Sequence, residues 1–208
     1  MERAGIFEDI RYSVFYNQTD YFRFEVDFHS PRTNNFIYSG SLGHWNNLST
    51  YLKFYQKVYT AFPGSVLYVL TPTARGKIEA TLADGCFDNI RDRVKVVYDV
   101  PYSEMVDYYA KCKYGLQLME KADSRVGVKY VEYVAAGLVP IVHSNVRGAA
   151  YLADSMGLGV VVNDDIDEKK ITEIKNKVIS PDAYARFRAM TDEQESSDIL
   201  YNYLTSKN

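Results

Sequence analysis

The sequence predicts an α/β domain on a doubly wound, mainly parallel sheet, and three observations carry that prediction. Short apolar runs recur along the chain: FIYS (36–39), VLYVLT (66–71), RVKVVYDV (93–100), YGLQLM (114–119), VPIVHS (139–144) and GVVVN (159–163). Helix-patterned segments separate them, so consecutive strands are joined by crossovers rather than hairpins. The runs are near-continuously apolar, as in parallel strands covered on both faces.

Each element has a local reason. After FIYS, a helix spans about 48–62 and is closed by Pro63-Gly64. VLYVLT is the next strand, followed by a helix near 75–83. RVKVVYDV alternates as a strand, and Pro101 then starts a helix to Cys112 with Ser103 as a local cap. YGLQLM is another buried strand. From Val126, VGVKYVEYVAAGLVPIV predicts an amphipathic helix whose Val128, Val131 and Ala135 share one face. Gly137 stops that helix, and a buried strand runs from it into His143. A short helix at 147–154, a strand at 159–163 and a helical tail over 166–204, rich in Lys, Glu and Asp, complete the pattern. Right-handed crossovers wind such a series into a Rossmann-like domain. Residues 1–35 lack the alternation, end in SPRTNN, and read as a linker or edge segment. Residues 36–165 form the domain, and 166–208 are C-terminal helices that pack on it or return to a further half outside this chain.

Composition excludes several functions. The 208 residues carry a net charge of -3, without the basic footprint of a nucleic-acid binder. No apolar run approaches the roughly 18 residues of a membrane helix, and the charged start MERAGIFEDI is not a secretory signal. Cys86 and Cys112 are isolated, and histidines stand singly at 29, 44 and 143, which points to a reduced, cytoplasmic chain without structural zinc. The nineteen tyrosines are spread along the chain and read as packing residues.

In a doubly wound sheet the ligand lies at the carboxyl ends of the strands, so the informative loops are 39–46, 71–76, 99–103, 119–128 and 143–148. The first contains Gly40-Ser41-Leu42-Gly43-His44, where a strand meets a helix and backbone N–H groups can approach a phosphate. It lacks the third glycine and downstream acid of a dinucleotide fingerprint, and the lysine of a P-loop. A plain glycine turn accounts for it equally well. His44 is the best placed of the histidines. Lys129 and Glu132 are three apart on one helix face. The lysine precedes the acid and opposes the helix dipole, an order that favours neither residue unless an anion lies in front of them. A carboxylate there can accept both ribose hydroxyls, and the lysine can neutralise a diphosphate. At Asp99-Val100-Pro101-Tyr102 exposed backbone can read a base edge. Ser124, Arg125 and the amides of Gly127 and Val128 can hold phosphate or sugar hydroxyls, while Arg75 and Arg147 stand on neighbouring loops. No nucleophilic set, acid/base carboxylate pair or metal cluster is discernible.

FIYSGSLGHW, VPYSEM, YGLQLME and GVKYVEYVAAGLVPIV, in that order, resemble the C-terminal, donor-binding half of GT-B glycosyltransferases, in particular the retaining group that builds bacterial surface polysaccharides. The likeness covers roughly residues 15 to 165, and its last motif is the most specific. The resemblance implies that Glu132 binds the ribose hydroxyls, that Lys129 is the lysine of the same helix, and that Gly40 to Gly43 lie near the diphosphate and sugar. Three positions depart from the pattern. Gly127-Val128 replace the proline before the lysine, Ser124 stands where the first glutamate of E-x7-E falls, and Ser41 with Trp45 or Asn46 replaces an Arg and a Lys. The diphosphate is then met by Lys129, Arg75 or Arg125. The resemblance further implies a nucleoside diphosphate sugar as donor substrate, no metal or other cofactor, and an N-terminal acceptor-binding domain outside this chain. The full enzyme would be cytoplasmic, with peripheral contact at the inner face of the membrane through that half. A nucleotide-sugar epimerase half and a non-catalytic GT-B-like binding or assembly module are the alternatives.

Overall fold

The computed structural model describes residues 17, 19–24, 26–28, 31–43, 45–192 and 197. One six-stranded sheet runs β1 (Phe36–Ser39), β2 (Leu67–Thr71), β3 (Val94–Tyr98), β4 (Tyr114–Gln117), β5 (Val139–His143) and β6 (Val160–Val162). Its spatial order is β3-β2-β1-β4-β5-β6, and every pairing is parallel. The order reverses between β1 and β4, which opens a crevice at their carboxyl ends. The fold is thus the Rossmann-like α/β class that the sequence predicts. Every residue of β1, β4 and β5 is buried, whereas edge strand β3 is only half-buried.

The helices are α1 (Leu48–Val58), α2 (Arg75–Leu82), α3 (Met105–Ala110), α4 (Val128–Ala135), α5 (Arg147–Ser155), α6 (Glu168–Asn176) and α7 (Pro181–Thr191). Two expectations are corrected. The helix expected from Pro101 opens as a 3-10 turn, Tyr102–Glu104, and Ser103 lies inside that turn rather than capping α3. The second correction concerns which residues α4 exposes. Its residues from Tyr130 to Ala135 are all buried, while Val128, expected on the apolar face, is 48% exposed. The reason is tertiary: α7 covers the side of α4 away from the sheet, and Tyr130 meets Phe187 edge-on at 5.8 Å.

Gly137 ends α4 at φ +71. Its N–H donates to Val134 O and the N–H of Leu138 to Tyr133 O, the paired bonds of a Schellman cap that only a residue free of Cβ strain adopts readily. The tyrosines pack: Tyr51, Tyr55, Tyr109, Tyr114, Tyr130 and Tyr133 are among the largest fully buried side chains. Phe36 stacks on Tyr114 at 4.8 Å and meets Phe62 edge-on at 5.2 Å beneath α1. Within the 1–35 segment, Tyr21 and Phe24 are buried, Phe24 against Tyr109 and Tyr21 against Tyr184. A bridge joins Thr19 to Asp192, and α6 and α7 contribute Ile174 and Phe187 to the core. Among the described residues no helix is long and apolar enough to cross a membrane.

Candidate functional site

A cavity of about 490 Å³ opens at the carboxyl ends of β1 and β4, against the first turn of α4. Its walls include Gly40, Ser41, Trp45, Gln117, Arg125 and Lys129. A smaller hollow of about 160 Å³ adjoins it, lined by Thr71, Pro72, Asp99, Val100 and Met105. Gly40 and Lys129 line both, so the lysine side chain stands between the two spaces. Gly40 is required there. Its φ is +143, and a Cβ would meet Tyr38 Oη at 3.2 Å and Lys129 Cε at 3.9 Å. Asp99, at φ +51, is the one described non-glycine residue with a positive φ, and it sets the backbone of Val100 at the rim of the hollow.

Lys129 and Glu132 are bonded: Nζ lies 2.8 Å from Glu132 Oε2. The acid is 3% exposed. Tyr109 Oη donates to the same oxygen at 2.9 Å, and Ser39 Oγ lies 2.8 Å from Tyr109 Oη. Tyr133 Oη accepts from Ser39 N at 3.1 Å and lies 3.4 Å from Ser39 Oγ. Because the Tyr109 proton is committed to the carboxylate, protons run in one direction, from Tyr133 to Ser39 to Tyr109 to Glu132. Burial raises the pKa of both Tyr109 and Tyr133, so both remain donors. Among the described residues nothing bonds Glu132 Oε1. Tyr109→Phe removes a buried bond to a charged acceptor. The expected loss is about 1.5–3 kcal/mol of stability, read by urea denaturation, and an unchanged midpoint would exclude the bond.

The remaining sequence-derived candidates divide. Ser41, Arg125, Gly127 and Val128 line the larger cavity with Gly40 and Lys129, and Val100 lines the smaller. Leu42 is buried, and its N–H donates to Thr73 Oγ1, so it faces the core. Gly43 donates to Asn46 O and, like Pro101 and Ser124, lines neither space. His44 lies outside the described residues. Arg75, at the start of α2, stacks its guanidinium on Tyr98 at 4.6 Å and lines neither space. Arg125 is held by Asp123, Nε at 3.0 and 2.9 Å and Nη2 at 2.6 Å. The hydrogen bonds from Arg125 hold the Asp123 carboxyl below the usual carboxylate range.

Sequence reasoning missed Tyr109, Ser39 and Gln117. Gln117, the last residue of β4, packs against Gly127, where a Cβ would stand 2.4 Å from its Nε2. Gln117 lines the larger cavity, and among the described residues its buried Oε1 has no hydrogen-bond partner. The first amides of α4 also open there, since Gly127 caps the helix without a side chain. Among the described residues the crevice thus has the Lys129 ammonium and helix amides without a side-chain cap at its wall, while Glu132 lines neither space and lies buried behind Lys129. Those groups suit a ligand carrying both anionic and hydroxyl parts.

Comparison with known proteins places the fold. No protein-family model matches the sequence, and no curated protein is similar to it in sequence. Solved structures do match. AviGT4, a glycosyltransferase involved in avilamycin A biosynthesis, superposes with a TM-score of 0.69 at 11% identity, covering 94% of this chain and 59% of its own. A sucrose-phosphate synthase from Thermosynechococcus elongatus gives 0.65 at 13% identity, covering 92% and 52%. WaaG, a glycosyltransferase involved in lipopolysaccharide biosynthesis, gives 0.53 at 18% identity, covering 83% and 45%. The chain has the fold of a GT-B glycosyltransferase domain and spans between half and three fifths of the first two of these proteins.

Proposed function

We propose that the chain is the donor-binding domain of a glycosyltransferase and takes a nucleoside diphosphate sugar. The observation that carries this reading is Lys129, which lines both spaces on the sheet's carboxyl edge and is bonded to Glu132 buried behind it. The base occupies the smaller hollow, beside the backbone of Val100. Ribose hydroxyls bond Glu132 as Lys129 turns to the diphosphate, which also meets the first amides of α4. The sugar lies in the larger cavity near Gly40 and Gln117. Transfer is assisted by holding the departing diphosphate at preorganised positive groups, with no covalent step by this domain. The sequence resemblance supports retaining transfer in surface-polysaccharide synthesis. It also supports an acceptor-binding N-terminal domain as partner, a cytoplasmic enzyme with peripheral membrane contact, and no metal.

Glu132→Gln tests it. The amide oxygen still accepts from Tyr109, so the fold is retained while the charge is removed. Titration calorimetry with UDP, GDP, ADP, CDP and dTDP is expected to show one tight nucleotide for the wild type. That nucleotide is expected to bind roughly 10- to 100-fold more weakly to the variant, the range of one hydrogen bond to a charged group. Equal affinity in the variant removes Glu132 from the site. The clasp of Arg125 by Asp123 favours a second reading, a binding module without transfer, and binding of no nucleotide by the wild type selects it.

A further inference from the structure

A third cavity, of about 410 Å³, opens on the other half of the carboxyl edge and shares no lining residue with the nucleotide crevice. Its volume falls in the roughly 300–1,000 Å³ span of small-molecule sites. One wall is a single face of α1, Thr50, Lys53, Phe54 and Lys57, at i, i+3, i+4 and i+7. The opposite wall is the segment after β6, with Asp164, and its floor is the end of β5. At that floor stands His143, 9% exposed. The N–H of Asn145 donates to its Nδ1 at 3.2 Å, which places the ring proton on Nε2. Among the described residues that buried Nε2 has no hydrogen-bond partner, and Asp164 Oδ1, whose side chain is exposed, stands 3.5 Å away as a partner only for a protonated ring. His143 lines the cavity, and a buried donor without a partner is costly.

The lining selects the ligand's charge. Lys53, Lys57, Glu120 and Asp164 all line the cavity, so an anion meets two carboxylates and a cation two ammoniums. Thr50 Oγ1 donates to Glu120 Oε1 at 2.7 Å and Lys57 Nζ to Asp164 O at 2.5 Å, which fixes both walls. Carboxylates accept from hydroxyls, and ammonium and imidazole N–H groups donate to them. Leu118, Val162 and Ile166 supply apolar surface for the C–H face of a ring. We propose that this cavity is a second binding site, taking a neutral, hydroxyl-rich ligand the size of a mono- or disaccharide. The site does not depend on the nucleotide reading.

Saturation-transfer NMR on the full chain tests it, with methyl α-glucoside and maltose as neutral probes and glucose 1-phosphate and glucosamine as charged ones. Saturation is expected on the neutral sugars, unchanged when UDP is added. Glu120→Gln, at an exposed position, is expected to weaken it about tenfold, the loss of one charge-assisted hydrogen bond, with the melting temperature retained. Any one of four results overturns the proposal: no signal from either neutral sugar, a stronger signal from a charged probe, displacement by UDP, or full binding by Glu120→Gln. Nucleotide calorimetry on the same sample reports on the donor crevice separately.

Discussion

Lys129→Met is expected to lower the melting temperature by about 6–12 °C and to weaken nucleotide binding at least tenfold. The stability effect follows from burial. Glu132 is 3% exposed, and Lys129 is the cation that meets its carboxylate. Removing one partner of a buried pair costs about 3–5 kcal/mol, because the other charge is left uncompensated. The low end, about 3 kcal/mol, applies here since the lysine side chain is 32% exposed and the pair is partly solvated. For a chain of this length each kcal/mol moves the midpoint by roughly 2–4 °C. The partners are not equivalent. Glu132→Gln leaves an ammonium that can turn to solvent and a Tyr109 proton that still finds an acceptor, so its expected cost is about 1 kcal/mol. Combining the two substitutions is expected to restore most of the loss. Scanning calorimetry on the four proteins gives the coupling directly. A Lys129→Met midpoint equal to wild type would mean that the carboxylate does not depend on the lysine. The nucleotide effect is the one that bears on function, because a purely structural lysine changes stability and leaves affinity intact once the domain is folded.

The sheet was legible because its strands are buried on both faces, which leaves continuous apolar runs that need no partner to be recognised. Gly137 was legible for a local reason, as a positive φ is a demand on one residue. The face of α4 was not. Apolar periodicity marks a stripe only when the other side meets water, and Phe187, more than fifty residues on, covers that side. The same limit applies at the crevice. The spacing of Lys129 and Glu132 put them together, since i and i+3 are neighbours in any helix. The Tyr109 bond to that acid joins α3 to α4 through tertiary packing, and nothing in the local pattern marks one tyrosine of nineteen. Reading Gly40 to Gly43 as a cradle treats every amide in the loop as available, yet Thr73 takes that of Leu42. Loop position alone makes Arg75 a crevice charge, yet Tyr98 takes its guanidinium. Position on the carboxyl edge was readable; which groups were already engaged was not.

Gly115→Ala is expected to cost about 3 kcal/mol or more, a large effect for one methyl group. Gly115 lies in β4, paired with Ile37 and Pro140 on its two sides. A Cβ there would stand 2.4 Å from both Cδ2 and Cγ of Tyr133 and 2.9 Å from Cδ1. Carbon contacts settle near 3.5–4.0 Å, so the ring must withdraw by about 1 Å. Cγ is tied to the α4 backbone through Cβ alone, and the ring cannot swing aside as the tip of a flexible chain does. The displacement passes into α4, whose end is fixed by the Gly137 cap and whose outer side rests on Phe187. Overpacking of this kind typically costs about 1–3 kcal/mol, and loss of the bond from Ser39 N to Tyr133 Oη adds about 1. Because Lys129 and Glu132 ride on the same helix, nucleotide affinity is expected to fall with stability. Tyr133→Leu tests the cause. Alone it removes a buried ring and its hydroxyl and destabilises, but combined with Gly115→Ala it opens the space that the methyl needs. Urea denaturation is therefore expected to show the double variant more stable than the sum of the two single losses by 1 kcal/mol or more, the coupling of residues in direct contact. Strict additivity would place the cost of Gly115→Ala in the strand backbone and not in the ring above it.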